Sequence, residues 1–205
     1  VTEDGEAAKV YEIDTSRKQT PDATTTLTVI DVPAEDKGTA SLTIQEKDKK
    51  AVVVTYAASR DEFSETHTKK AFFGGLSAGE LLGEWEKYTY KFIGEKDLAG
   101  TKVFEVEGKL KPDADSVVAR MTVLFRADNY VPMEMHLFAA DGSELRVYKT
   151  TNVNDDPAHP YAQKMDVENK VYKSRTVIEV LSREFPATID DSVFTREKLK
   201  ASVRK

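Results

Sequence analysis

Apolar and polar residues alternate along most of the chain, and this period of two predicts antiparallel β-strands. Three segments rich in Thr and Val, separated by charged stretches, predict a first meander at residues 24–32, 38–46 and 50–58. Seven further segments predict a longer meander, at residues 88–94, 101–109, 117–126, 131–139, 143–152, 161–170 and 172–183. Short connections and right-handed twist should curl such a sheet into an unclosed half-barrel.

The segments between the strands predict turns, loops and a tail. Ala99-Gly100 and Asp141-Gly142 are expected as hairpin turns, the second being the pair that type I′ turns favour. Residues 59–70 are polar without clear periodicity and predict a mobile loop, and residues 1–8 predict a loose N-terminal tail. We expect one domain over residues 1–205, because no repeat or linker divides the chain.

Residues 78–87 predict a helix that covers the sheet as a lid. Ser77 can cap its N-terminus while Glu80 reaches back to the cap, which is a capping box. The apolar side of this helix consists of Leu81, Leu82, Trp85 and Tyr88. A second, short helix is expected from about residue 192 to 201.

In the second meander, alternate positions of the strands are apolar, and these side chains predict a ligand-binding wall on one face of the sheet. All four methionines of the chain fall at these positions, and methionine suits surfaces that accommodate variable apolar partners. The predicted wall consists of Met121, Val123, Phe125, Met133, Met135, Leu137, Val147 and Met165. The alternative is that these side chains fill the core of the sheet. A wide sheet with few helices to cover it favours a poorly filled apolar concavity, which is the usual form of a ligand site.

Composition and charge exclude several classes of function. The formal net charge is −6, and the 30 basic residues alternate with acidic ones, so no nucleic-acid footprint forms. The chain has no cysteine, which excludes disulfides, Cys-ligated metals and Cys nucleophiles. Its apolar runs are shorter than the ~20 residues of a membrane span, and its first residues lack the features of a signal peptide. Removal of a signal peptide, or of a lipid-bearing cysteine, before Val1 stays an open alternative.

No constellation of residues indicates an enzyme, a metal site or a cofactor. His67, His136 and His159 are scattered, with no second histidine at ligand spacing, and we interpret them as solvated side chains. Nucleophile-elbow and phosphate-loop motifs are absent from the sequence. We therefore expect a binding protein without catalytic residues.

Landmarks over residues 72–199 resemble the outer-membrane lipoprotein-sorting family, with its LolA-like and LolB-like fold. In order, they are Phe72-Phe73-Gly74-Gly75-Leu76-Ser77, Tyr88-Thr89-Tyr90-Lys91-Phe92-Ile93-Gly94, Gly100-Thr101-Lys102-Val103-Phe104-Glu105-Val106, Asp128-Asn129-Tyr130-Val131-Pro132-Met133-Glu134, Phe138-Ala139-Ala140-Asp141-Gly142 and Asp191-Ser192-Val193-Phe194-Thr195. The resemblance implies an unclosed antiparallel barrel with a helical lid, whose apolar cavity shields acyl chains of lipoproteins.

The same resemblance implies an exported carrier, periplasmic or associated with the outer membrane. Its partners would be the acyl chain of a lipoprotein or another lipid, with envelope transport proteins as further possible partners. The open alternative is an envelope-sensing or protein-interaction module on the same fold, without lipid transport. A cavity filled by its own side chains would favour that alternative.

Overall fold

The structure is a computed structural model, and it describes residues 2–3, 9–32, 39–47, 49, 51–67, 71–73, 76–77 and 85–203. The protein is mainly β. The strands are β1 (Thr2–Glu3), β2 (Glu12–Gln19), β3 (Ala23–Val32), β4 (Thr39–Glu46), β5 (Val52–Ala57), β6 (Glu62–Thr66), β7 (Ala71–Phe73), β8 (Leu76–Ser77), β9 (Tyr88–Leu98), β10 (Thr101–Leu110), β11 (Arg120–Arg126), β12 (Pro132–Phe138), β13 (Glu144–Asn154), β14 (Tyr161–Asn169) and β15 (Ser174–Glu179). Trp85–Lys87 and Asp191–Phe194 form 3-10 turns, and Arg196–Ser202 forms helix α1.

The strands form two large antiparallel sheets and one two-stranded ribbon. The first sheet has eight strands in the order β1-β15-β14-β13-β12-β11-β10-β9, and the second has five in the order β2-β3-β4-β5-β6. β7 pairs with β8. Among the described strands neither large sheet closes into a barrel.

The chain divides into two compact units, each built around one large sheet. The first contains residues 1–8 and 71–185, and the second contains residues 9–70 and 186–205. The expectation of a single domain stays a prediction. The predicted loose tail differs from the structure at Thr2–Glu3, which pair with Arg175 and Ser174 of β15.

The C-terminal helix covers one side of the five-stranded sheet. Thr195 caps α1 by accepting a hydrogen bond from the backbone N–H of Lys198, at 3.1 Å. Leu199 of α1 is fully buried and packs in one cluster with Leu27, Val29, Ala40, Leu42, Val54, Tyr56 and Val203. The predicted short C-terminal helix is confirmed, although its first predicted residues form a 3-10 turn.

The predicted meanders are present, and the first has one additional strand, β6, which lies inside the predicted mobile loop. The sequence predicts that Lys9–Ile13 begins the first strand, and the observed strand there, β2, runs from Glu12 to Gln19. The loop prediction at 59–70 is wrong over Glu62–Thr66, because these polar residues pair along their backbone with Val53–Ala57 of β5. The ring of Phe63 lies 5.0 Å from that of Tyr56, so one aromatic contact anchors an otherwise polar edge strand.

The predicted lid helix is replaced, where the structure describes it, by a turn and a strand. Residues 78–84, including Leu81 and Leu82, lie outside the described residues. Trp85 belongs to a 3-10 turn, and Tyr88 begins β9. Tyr88 is buried, and its hydroxyl donates to the carbonyl of Val118 at 3.1 Å. Tyr88, Tyr90 and Phe92 therefore alternate along a β-strand, and Tyr88 does not continue a helix.

The two predicted hairpin turns form with different backbone geometries. Ala99 and Gly100 both have positive φ, at +51° and +87°, as a type I′ turn requires. Gly142 has φ +86°, but Asp141 is outside the left-handed region, so this turn is not type I′. Instead, Asp141 Oδ1 accepts hydrogen bonds from the backbone N–H and the hydroxyl of Ser143.

Candidate functional site

Cross-strand pairing assigns the two faces of the eight-stranded sheet, because directly paired residues project to the same side. One side, here called the apolar face, is defined by three rows of paired residues across β10 to β14. They are Gly108–Met121–Leu137–Arg146–Asn169, Val106–Val123–Met135–Tyr148–Val167, and Phe104–Phe125 with Thr150–Met165 further along. The predicted wall therefore lies mainly on one face.

The opposite side, here called the charged face, carries rows of ion pairs. His136 contacts Glu144 through Nδ1 at 2.6 Å and Glu134 through Nε2 at 2.7 Å. Arg175 pairs with Asp166 on neighbouring strands. Interleaved opposite charges of this kind suit a solvated sheet face. The interpretation of His136 as an outward side chain beside Glu134 agrees with this arrangement.

Val147 does not share the apolar face with the other predicted wall residues. It pairs with His136 and Glu168, which places it on the charged face. The cause is a β-bulge between Leu137 and Phe138, which shifts the register with β13 so that Arg146 lies opposite Leu137. The sequence prediction assigns every second residue after the Asp141-Gly142 turn to the apolar face, and it therefore places Val147 on the wrong face, because the bulge shifts the alternation.

The centre of the apolar face is closely packed. Met121, Val123 and Leu137 are buried, and Phe125 and Met135 pack against the same cluster. A Cβ atom at Gly108 would lie 2.8 Å from Met121 Cγ and 3.0 Å from Tyr90 Cε1. Glycine at 108 therefore lets the Met121 side chain and the Tyr90 ring meet above the backbone.

The remaining predicted wall residues are partly exposed. Phe125, Met133, Met135 and Met165 are neither fully buried nor fully exposed. Met133 is the extra residue of a bulge opposite Leu124 and Phe125. The predicted wall is thus a buried centre with a partly accessible margin.

A strip of five aromatic side chains, four of them exposed and one partly buried, continues the apolar face at the β9 end of the sheet. It consists of Trp85, Tyr90, Phe92, Phe104 and Tyr130, and is called the aromatic strip below. Exposure rises from 39% for Trp85 through 45% for Tyr90 and 59% for Phe92 to 68% for Tyr130. Ring centroids lie 6.4 Å apart for Trp85–Tyr90, 5.9 Å for Phe92–Phe104 and 6.1 Å for Phe104–Tyr130. The strip thus contains two groups of neighbouring rings, Trp85–Tyr90 and Phe92–Phe104–Tyr130, whose members on β9, Tyr90 and Phe92, are two residues apart. Exposed apolar surface that is clustered in this way commonly marks an interaction site.

A hydrogen bond at one end of the aromatic strip and ion pairs at the other hold its side chains in place. The Tyr90 hydroxyl donates to the carbonyl of Trp85 at 2.7 Å, which ties the 3-10 turn to β9. Tyr130 has φ +58°, a rare conformation for a bulky residue. The hairpin beside it is braced by Arg126, which binds Asp128 and Asp155 at 2.7 Å each.

The apolar face also contains a buried polar pair that the sequence interpretation omits. Arg146 and Tyr148 are two residues apart on β13, and both are buried. Burial raises the pKa of Tyr148 to about 12. As in any tyrosine at neutral pH, its hydroxyl is protonated and can donate a hydrogen bond. Burial also lowers the pKa of Arg146, against the opposing influence of Tyr148 and Tyr172.

Some of these residues were visible as a signal in the sequence. Tyr88, Tyr90 and Phe92 alternate strictly, which indicates one apolar face of a strand. The part of Tyr130 and Phe104 in the aromatic strip depends on pairing between distant strands and could not be read from spacing. The position of Arg146 on the apolar face depends on the bulge at Leu137–Phe138.

Within the described ranges, no group of three or more His, Asp or Glu side chains is arranged to hold a metal ion. None of the helices described in the structure is both long enough and apolar enough to span a membrane. The predictions that the protein uses no cofactor and is not an enzyme stay predictions.

Comparison with known proteins places this architecture in a family. A family model described as "Uncharacterized protein" matches residues 22–201. The chain belongs to that family. No curated protein matches the chain.

Solved structures at low sequence identity share the fold of this chain. A candidate outer membrane lipoprotein-sorting protein domain from Vibrio parahaemolyticus has a TM-score of 0.80 at 19% identity, covering 93% of this chain and 83% of that one. A DUF1329 family protein from Desulfovibrio piger has a TM-score of 0.83 at 17% identity, covering 97% and 87%. A LolA superfamily protein from Nitrosomonas europaea has a TM-score of 0.73 at 14% identity, covering 97% and 87%. The resemblance to the LolA-like fold is confirmed.

Proposed function

We propose that this protein is an exported carrier that binds the acyl chain of a lipoprotein or another lipid on the apolar face of its eight-stranded sheet. The observation that carries the proposal is the aromatic strip, which leaves large apolar side chains exposed beside a buried apolar centre. Water contact with these rings is unfavourable, and an acyl chain lying on them would remove it.

Apolar contact along this face would favour binding of an acyl chain even without a deep cavity. Burial of an acyl chain contributes about 0.8 kcal/mol per methylene. The four partly exposed wall residues Phe125, Met133, Met135 and Met165 would extend the contact from the strip along the sheet. Methionine and aromatic side chains adapt to chains of different length because they are polarisable and make broad contacts.

The same proposal includes the shape of the binding site, its lid, the location of the protein and its transport partners. The eight-stranded sheet would form the unclosed half-barrel, and the segment containing Leu81, Leu82 and Trp85 would form a lid. Fold similarity to a protein domain named for outer membrane lipoprotein sorting supports a periplasmic or outer-membrane location. Envelope transport proteins would then deliver or receive the lipid.

One observation favours the second candidate, a protein-interaction or envelope-sensing module. Met121, Val123 and Leu137 are already buried, as expected of a sheet filled by its own side chains. In that case the aromatic strip would contact a protein. Titration with a lipid distinguishes the two functions.

The deciding experiment uses Trp85, the only tryptophan of the chain, as a reporter on the aromatic strip. Titration with a long-chain fatty acid should give a saturable blue shift of its fluorescence, because a bound chain would exclude water from the ring. Native mass spectrometry of protein purified from a bacterial host should also detect bound lipid. An unchanged spectrum together with lipid-free protein would reject the carrier and favour the protein-interaction module.

A further inference from the structure

Two buried tyrosines on the first unit differ in how their hydroxyl groups are satisfied. Tyr88 and Tyr148 belong to the same buried cluster and are each 7% exposed. The Tyr88 hydroxyl lies 3.1 Å from both Ser116 Oγ and the Val118 carbonyl. The Tyr148 hydroxyl is buried and has no hydrogen-bond partner among the residues that the structure describes. A buried donor without a partner destabilises a protein, so its retention needs a reason.

The surroundings of Tyr148 combine apolar contacts with one cationic group. Met135 and Val167 lie directly opposite it on β12 and β14. Arg146, two residues earlier on β13, projects to the same face and is also buried. The two side chains are adjacent on this face, because residues two apart on a strand project to the same side. A protonated hydroxyl and a guanidinium are both donors, and together they suit an anionic oxygen acceptor.

We propose that Tyr148 and Arg146 form a head-group site for an acyl ligand. In this site the Tyr148 hydroxyl donates a hydrogen bond to an anionic oxygen, and the Arg146 guanidinium provides the compensating positive charge. The ligand chemistry is a carboxylate or phosphate attached to an apolar chain. The inference rests on the proposed function, because it presumes that the chain lies on the apolar face.

The test compares Tyr148→Phe with Tyr88→Phe, since each variant removes the hydroxyl of a tyrosine that is 7% exposed. The probes are dodecanoate, dodecyl phosphate and dodecyltrimethylammonium, which share a chain length and differ in head group. Binding is followed by Trp85 fluorescence. Wild-type protein should bind one or both anionic probes at least about tenfold more tightly than the cationic probe, as expected for a hydrogen bond to a charged group.

The two variants should then diverge. Tyr148→Phe should weaken binding of the preferred anionic probe about tenfold and leave the cationic probe unchanged. Its thermal midpoint should equal or exceed that of wild type, because no native hydrogen bond is lost. Tyr88→Phe should lower the thermal midpoint and leave the anionic preference intact. Arg146→Lys should keep that preference, and Arg146→Gln should lose it.

Each other outcome overturns the inference in a distinguishable way. Equal binding of anionic and cationic probes by wild type would leave the carrier function standing and reject the head-group site. A fall in thermal midpoint for Tyr148→Phe as large as that for Tyr88→Phe would show that the hydroxyl is already satisfied in the free protein. Absence of binding to all three probes would reject both the site and the proposed carrier function. Comparison of dodecanoate with dodecyl phosphate identifies which anion the site prefers.

Discussion

The two large sheets of this protein are built from similar strands but treat their apolar side chains differently. The five-stranded sheet has a helix packed on it, with Leu199 at the centre of a buried cluster. The eight-stranded sheet buries its centre but leaves the rings of Trp85, Tyr90, Phe92 and Tyr130 exposed at the β9 end. Full burial of an apolar face stabilises the fold, whereas partial burial leaves a surface available for binding.

The charge pattern sharpens this contrast within the eight-stranded sheet. Its charged face carries ion pairs between neighbouring strands, among them Lys96–Glu105 and Arg175–Asp166. Exposed pairs contribute little to stability, typically about 0–1 kcal/mol. Under the proposed function, the ligand would lie on the opposite, apolar face.

The largest expected loss of stability comes from a substitution in the core of the five-stranded sheet. Leu199→Ala should lower the free energy of unfolding by about 2–5 kcal/mol, because it leaves a cavity in a fully buried cluster. Urea denaturation measures the change. Lys198→Ala on the exposed side of the same helix is the control and should change stability by less than about 0.5 kcal/mol. Equal effects of the two substitutions would contradict the assignment of the helix as a structural cover.

The next effect is expected at the centre of the apolar face. Gly108→Val should destabilise the protein by about 1–3 kcal/mol, because its side chain would overlap Met121 and the Tyr90 ring. Gly94→Val is the matched control, since a Cβ at Gly94 meets nothing within 4 Å. Thermal unfolding of the two variants compares them directly. A Gly108→Val variant as stable as Gly94→Val would mean that the face is loosely packed.

A smaller effect is expected on the aromatic strip, and it should appear in binding. Phe92→Ser should weaken binding of a long-chain fatty acid roughly fivefold through lost apolar contact, with a stability change below about 1 kcal/mol. Phe63→Ser on β6 is the control, because Phe63 is also an exposed aromatic side chain but belongs to the other unit. Trp85 fluorescence gives both affinities. If both substitutions weakened fatty-acid binding equally, the binding surface could not be assigned to the eight-stranded sheet.

The smallest effect is expected on the charged face and depends on pH. Burial lowers the pKa of His136, but hydrogen bonds to Glu144 and Glu134 outweigh it, so the pKa is raised in the folded protein. The protonated form is therefore favoured by folding. Its stabilising contribution is fully present below the unfolded pKa of about 6.5 and is lost as pH rises through the folded value.

The measurement is the difference in unfolding free energy between wild type and His136→Gln at pH 5.5 and 8.5. We expect the unfolding free energy of wild type to exceed that of the variant by more at pH 5.5 than at pH 8.5. The change between the two pH values should be at most about 1 kcal/mol, because His136 and its two glutamates are partly solvated. A difference that does not change with pH would show that the two glutamates do not stabilise the imidazolium.

Local patterns were sufficient to predict much of the fold. Thr- and Val-rich alternation located β3, β4 and β5, and Ala99-Gly100 marked the turn between β9 and β10. The polar strand β6 could not be recognised, since it is defined by backbone pairing with β5 and its side chains are almost all exposed. The helical period through Trp85 and Tyr88 was misleading because β9 uses Tyr88 as its first buried residue.

The sequence by itself determined that the chain forms antiparallel strands with one apolar and one charged side, because side-chain period follows directly from strand geometry. It also determined that Met121 and Val123 lie on one side of their strand, and Met135 and Leu137 on one side of theirs. Only the tertiary structure decided that Val147 lies among charges while Arg146 and Tyr148 join the apolar face. The physical reason is register: one bulged residue reverses every following side chain, and pairing between strands fixes the bulge.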